Sequence, residues 1–151
     1  LGEEESMISN NAYSNKVNDQ YRENTVFSST PGELTLMLYN GMINFIMQAR
    51  AAIDENRFEK ANNCIIRVQE ILQELQATLD MKYDISSNLQ LLYDYMLRQL
   101  VDANLKKDGD ILEEVLWFAR ELRDTWAQAM KLARRHDRTS VELKKIVGLE
   151  G

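Results

Sequence analysis

Pro31 is the only proline in this 151-residue chain, and glycines number six. These two residue types are the ones that most often interrupt a helix, so a chain poor in both builds long, regular elements. The apolar residues recur at steps of three and four, the helical period, rather than in the alternation of a half-buried strand. An all-α fold follows. With 44% hydrophobic residues the chain can fill one core without disulfide or metal support.

The elements can be placed from their ends. From Leu1 to Ser29 the chain is rich in Asn, Ser and Glu and lacks sustained periodicity, which predicts a mobile arm with isolated apolar anchors at Tyr13, Tyr21 and Val26. Met7 suits a native initiator, which would make Leu1–Ser6 a remnant of cloning. At Thr30-Pro31-Gly32-Glu33 a capping Thr, a Pro at the first helical position and a Glu at the third mark a helix start. That helix should run to about Asn56, on a stripe that includes Leu38, Met42, Phe45, Ile46 and Ile53. Gly41 interrupts the stripe and suggests the close approach of another group.

A second helix, Arg57 to Tyr83, carries Phe58, Ala61, Ile65, Val68, Leu72, Leu75 and Leu79 on a coiled-coil-like seam. A third, from Ser86 or Ser87 to Lys107, presents Leu89, Leu92, Tyr93, Met96, Leu100 and Ala103, with Gly109 as its left-handed stop. Asp110 and Glu113 should cap a fourth, running through Val115, Phe118, Leu122 and Trp126 to Arg134 or Arg135. Short connections favour an antiparallel up-down four-helix bundle over residues 30–136. The tail, 137–151, has room for a short fifth helix from Ser140 to Val147.

Several classes of function find no support. The net charge of -6 and pI of about 4.9 disfavour a phosphate-binding surface, so nucleic acid is not the expected partner. Membrane insertion is disfavoured because the most apolar stretch, Leu34–Ile53, is broken by Asn40, Asn44, Gln48 and Arg50. The start LGEEESMISNN has neither the basic opening nor the apolar run of a signal peptide, and Cys64 is the sole cysteine. Both features suit the cytoplasm.

A di-iron bundle needs two Glu-x-x-His pairs, but His136 is the only histidine and sits among Arg134, Arg135 and Arg138, which would repel a cation. No metal and no cofactor is expected. Cys64, on the second-helix seam, reads as a small core residue rather than an activated nucleophile. No catalytic residue is assigned. The seven methionines read mainly as core filling, although thioethers also suit a groove for a partner helix. Tyr93, Tyr95 and Trp117 supply more aromatic surface than one inward face readily holds.

The run STPGELTLMLYNG, Ser29 to Gly41, within YRENTVFSSTPGELTLMLYN, resembles the signature of the FliS family of flagellin export chaperones. Further resemblance lies in YDYMLRQLVDAN, Tyr93 to Asn104, and in RELRDTWAQA around Trp126, so that Tyr13 to Arg135 aligns. The resemblance implies a cytosolic helical bundle that binds the C-terminal segment of flagellin, prevents premature polymerisation and delivers the subunit to the membrane-embedded flagellar export gate. It also implies that the arm carrying Tyr21, Asn24 and Val26 folds over the bundle as a cap that the client displaces; a passive polar tail is the alternative.

For the groove itself, the apolar groups chosen on the second and third helices are Ile65, Leu72, Tyr93, Tyr95 and Met96, each of which could equally be core. Exposed apolar grooves also allow weak pairing of two copies. Two other readings stay open: a histidine phosphotransfer module using His136, and a helical scaffold for a different partner.

Overall fold

The first helix begins at the residues its capping chemistry selects. In the computed structural model, which describes residues 29–148, α1 spans Pro31–Asp54. Thr30 Oγ1 accepts from the Glu33 amide at 3.2 Å, and the Glu33 carboxylate accepts from the Thr30 amide at 3.4 Å. Two amides without an intrahelical partner are thereby satisfied, and Pro31 sits where no N–H is needed. The chain divides into two units between Leu34 and Thr35, so this cap belongs to the first and the helical bundle to the second.

Three further helices follow: α2 at Phe58–Ala77, α3 at Asp84–Lys106 and α4 at Gly109–Ile146. After α1, Asn56 adopts a left-handed backbone (φ 59°), which lets the Arg57 amide reach the Ala52 carbonyl at 2.7 Å. Asparagine tolerates that region better than most residues. α2 stops at Thr78, whose hydroxyl donates to the Leu75 carbonyl at 3.1 Å. Asp80 then folds the chain back: its carboxylate accepts from the Lys82 amide at 3.0 Å, and its carbonyl accepts from the buried Ser86 hydroxyl at 2.6 Å. This turn ends α2 well before the expected Tyr83 and starts α3 ahead of Ser86.

Between α3 and α4 the left-handed residue is Lys107 (φ 52°) rather than the expected Gly109. The Lys107 ammonium donates to the Asn104 carbonyl at 2.9 Å and also to the Asn104 side-chain oxygen. Asp108, not Asp110, caps α4, because its carboxylate accepts from the Asp110 amide at 2.9 Å. An acceptor placed earlier in the chain moves the first helical residue back to Gly109.

Side-chain contacts define the order around the core. Across α1 and α2, the Arg67 guanidinium lies 5.5 Å from the Phe45 ring centre, and an Ile71 methyl approaches to 3.6 Å of where a Gly41 Cβ would stand. That spacing is ordinary contact, so Gly41 has a close neighbour but no steric need to be glycine. Asn104 donates to Asn62 at 2.7 Å and Gln76 to Asp94 at 2.6 Å between α2 and α3. Tyr95 meets Phe118 between α3 and α4, and Arg50 pairs with Glu113 between α1 and α4. Asn62 with Asn104 and Arg50 with Glu113 set an early residue of one helix against a late residue of the other, and the pairs Gly41–Ile71 and Phe45–Arg67 run in opposite order along α1 and α2, as an antiparallel up-down arrangement requires.

The core draws on all four helices, with Met42, Ile46, Ile65, Leu72, Leu100 and Leu112 all fully buried. Burying each such side chain contributes about 1.5–3 kcal/mol. Tyr39 and Tyr93 join their hydroxyls at 2.6 Å inside this core. No buried side-chain polar atom among the described residues lacks a partner.

The expected break after Arg135 is absent. α4 runs for 38 residues through His136 to Ile146, so the anticipated fifth helix is the unbroken continuation of the fourth. Nothing between Arg134 and Val147 is glycine or proline, and the first glycine, Gly148, takes a left-handed φ of 69°.

Candidate partner-binding surface

Four of the five groove residues expected on the second and third helices lie in the core. Ile65, Leu72 and Met96 have no exposed surface, and Tyr93 is buried against Tyr39. The physical reason is phase: these positions lie on the inward stripes of α2 and α3, which face the other helices. Tyr95 is half-buried and remains accessible from outside. Tyr21, Asn24 and Val26 lie outside the described residues.

The apolar groups that do face solvent are out of phase with those stripes. On α3, Leu91, Val101 and Leu105 are 68%, 50% and 81% exposed, opposite the side that buries Tyr93, Met96, Leu100 and Ala103. At 100° per residue, Leu91, Tyr95, Val101 and Leu105 fall on one outward arc. Ile66 on α2 is also exposed; so, against expectation, is Phe58, which shares the phase of Ile65 but stands at the first residue of α2, beyond the packed part of the stripe. Ile66 is one turn beyond Asn62, and Val101 one turn before Asn104, so the two flank the α2–α3 seam just inside the Asn62–Asn104 hydrogen bond. The Gln76–Asp94 bond closes the other end of that seam.

The α3–α4 side of the same outer surface is aromatic. Tyr95 meets Phe118 edge-on with ring centres 6.0 Å apart, and Phe118 meets Trp117 at 5.1 Å. Trp117 is 59% exposed, so this ladder ends in a large indole open to solvent. The Tyr95 hydroxyl donates to Glu114, and that bond holds the phenol proton and raises the tyrosine pKa. An indole and a phenol that each pack edge-on against Phe118 form the kind of rigid amphipathic anchor that partner surfaces favour.

Other chemistry is sparse. No group of three or more His, Cys, Asp or Glu that could hold a metal occurs among the described residues. Cys64 is a buried free thiol. His136 lies on the exposed continuation of α4, flanked by exposed arginines. No helix among the described residues is long and apolar enough to cross a membrane.

The family model described as "Flagellar protein FliS" matches residues 13–133. The chain belongs to the FliS family. It is 44% identical over 115 residues to the flagellar secretion chaperone FliS of Bacillus subtilis, covering 76% of this chain and 86% of that one. To the protein of the same name from Salmonella typhimurium it is 31% identical over 109 residues, covering 70% and 81%. A crystal structure of a bacterial flagellar chaperone superposes with a TM-score of 0.64 at 18% identity, over 78% of this chain and 98% of that one; this likeness supports the fold.

FliS membership places the chain among flagellar secretion chaperones rather than enzymes, and His136 lies beyond the last residue of the family match. The exposed positions Leu91, Val101, Leu105 and Trp117 lie within it. The strongest apolar stripes hold core residues, and an apolar residue out of step with its own helix marks exposed surface, as Leu105 does beside Leu100 and Ala103.

Proposed function

We propose that this FliS-family chaperone binds the C-terminal segment of flagellin in the cytosol, as amphipathic helix laid along the outer surface of α3 and its neighbours, and so keeps the subunit from polymerising before it reaches the flagellar export gate. The observation that carries this reading is the exposed row Leu91, Val101 and Leu105 on a helix whose other side is already packed. A helix-in-groove partner supplies apolar anchors at matching spacing, and its burial offsets the cost of ordering a disordered tail. Tyr95 and Trp117 are the proposed aromatic anchors. Tyr21, Asn24 and Val26 are proposed to take part in client binding.

Calorimetric titration with a fragment spanning the C-terminal helical segment of the cognate flagellin tests the reading. The expected result is saturable one-to-one binding with a negative heat-capacity change, the mark of apolar burial. No heat and no complex, with the bundle shown folded by circular dichroism, would sink it.

A further inference from the structure

The continuation of α4 past the family match is distinct in charge, exposure and pattern. The FliS match ends at residue 133, while α4 runs on to Ile146. From Lys131 to Thr139 every residue is exposed. Residues 131–148 hold six Lys or Arg against two carboxylates, whereas bundle residues 35–130 hold ten against fifteen. None of the six cations forms an ion pair among the described residues. The positive excess is local and unpaired.

Apolar and basic groups are sorted around this arm. At 100° per residue, Leu132, Thr139, Leu143 and Ile146, with His136 and the C-cap Val147, share an arc of about 100° that holds no Lys, Arg, Asp or Glu. Leu132, Leu143 and Ile146 are 64%, 55% and 79% exposed. The Thr139 hydroxyl donates back to the Arg135 carbonyl at 2.9 Å, so its polar atom is satisfied within the helix. Lys131, Arg134, Arg135, Arg138 and Lys145 share a second arc of about 100° that adjoins the first, with Glu142 the one acid among them. Asp137 and Lys144 stand on the remaining side.

The apolar arc also faces a definite side. On the same count Glu114 and Phe118, which meet Tyr95 of α3, lie within it, so the arc continues the α3-facing side of α4 beyond the bundle. Twelve residues back from Tyr95 is Tyr83, and twelve on from Phe118 is Met130, which puts the α2–α3 turn at the foot of the arm in this antiparallel pair. That turn exposes Met81 and Tyr83, and Ile85 is exposed just after it at the start of α3. Asp80, Lys82 and Asp84 leave the turn with a single negative charge, so attraction for an anion comes from the arm.

We propose that the arm Lys131–Ile146 is a seat for an anionic phospholipid surface, its apolar arc entering the boundary between headgroups and acyl chains and its basic arc meeting the headgroup phosphates. A lone exposed helix is convex and offers no deep recess to a partner's side chains, whereas a bilayer surface requires none. An uncharged aliphatic arc beside unpaired cations is the pattern of a helix that lies in that boundary. The arm runs roughly 24 Å and is charged along its length, so it lies on the bilayer and does not cross the roughly 30 Å hydrocarbon core. Met81, Tyr83 and Ile85 come to the same surface at the foot of the arm. The seat is separate from the outer row Leu91, Val101 and Leu105, and it is measured with no flagellin present.

Flotation of the full chain with vesicles tests it. The chain should rise with phosphatidylcholine vesicles that contain about one third phosphatidylglycerol and be left behind by phosphatidylcholine alone. Its partition coefficient should fall at least about tenfold as salt goes from about 50 to 500 mM, because screened charges hold it. R134E/R135E/R138E removes the basic arc, and L143Q/I146Q removes apolar area at constant charge; each should lower the partition at least about tenfold. Leu105→Gln, on the outer row of α3, should leave it unchanged. The salt series uses the wild-type chain and so decides the charge contribution even where circular dichroism shows a variant unfolded. Arg138→Gln or Ile146→Gln then replaces that variant, with an expected loss of at least about threefold.

No flotation, equal flotation with and without the anionic lipid, or a partition that salt does not change overturns the proposal. So does L143Q/I146Q binding like wild type, which would leave only diffuse attraction between charges. A chain that ignores vesicles but whose sedimentation coefficient falls in R134E/R135E/R138E overturns it as well, and assigns the arm to a contact between protein chains.

Discussion

The inner and outer faces of α3 are built from similar residues and have opposite fates. Inward, Tyr93, Met96, Leu100 and Ala103 are buried, and the one polar group they bring, the Tyr93 hydroxyl, is bonded to Tyr39. Outward, Leu91, Val101 and Leu105 are left to solvent. Hydrophobicity alone does not separate the two sets. What separates them is their angular position relative to α1, α2 and α4, so the same side-chain chemistry is packed on one face and open to solvent on the other.

Leu100 and Leu105 put that contrast to its strongest test, being the same residue type on one helix. Leu100 has no exposed surface, whereas Leu105 is 81% exposed. Leu100→Ala removes packed methyl groups and leaves a cavity, so it should cost about 2–5 kcal/mol of unfolding free energy. Leu105→Ala should stay within about 0.5 kcal/mol of wild type. Urea denaturation followed by circular dichroism gives both values. Equal losses at the two positions would break the inner-outer distinction.

The buried tyrosine pair sharpens the inner side at the next scale down. Tyr93→Phe leaves the Tyr39 hydroxyl in the core without its partner, at a cost of about 1–3 kcal/mol. The pair also predicts a pH dependence. Burial, which takes the phenols out of water, raises both pKa values above the ordinary 10.0. Above pH 10 the unfolded chain therefore releases phenolic protons that the folded chain keeps, and the equilibrium shifts towards unfolding. The stabilising difference is fully present below pH 10 and declines by up to about 1.4 kcal/mol per pH unit for each tyrosine. Denaturation between pH 8 and 11 should show that decline, and the Y39F/Y93F double variant should flatten it.

Local chemistry was readable from the sequence, and helix phase was not. The Thr30–Glu33 cap needs only residues three apart, and it forms as expected. The α2 stripe through Ala61, Ile65, Val68, Leu72 and Leu75 reads as a seam because each step is three or four, and all five are buried. Choosing Ile65 and Leu72 from the middle of that stripe as groove residues therefore selects the centre of the core. The α3–α4 joint turned on a competition that sequence rules rank wrongly: Gly109 looks like the left-handed residue, yet Lys107 takes that conformation, its ammonium and the following amide bonded back to the last turn of α3. The unbroken α4 was hidden by its change of character at Arg134, where the apolar stripe gives way to charge while nothing forbids the helix to continue.

The outer face should show the smallest effect on folding and the clearest effect on function. Val101 is half exposed and lies beside the α2–α3 seam, so Val101→Asp places a carboxylate where water can still solvate it. The cost to stability should be within about 0.5 kcal/mol, as for most exposed positions. If the α3 surface receives an apolar client helix, the same carboxylate is desolvated in the complex without a partner, and the penalty falls on the bound state alone. Flagellin-fragment affinity should then drop by about tenfold or more, which corresponds to at least about 1.4 kcal/mol. Calorimetry and thermal denaturation on one preparation separate the two effects: a lowered melting temperature with unchanged affinity would return Val101 to the core, and a loss of affinity at constant stability would keep the outer face for the partner.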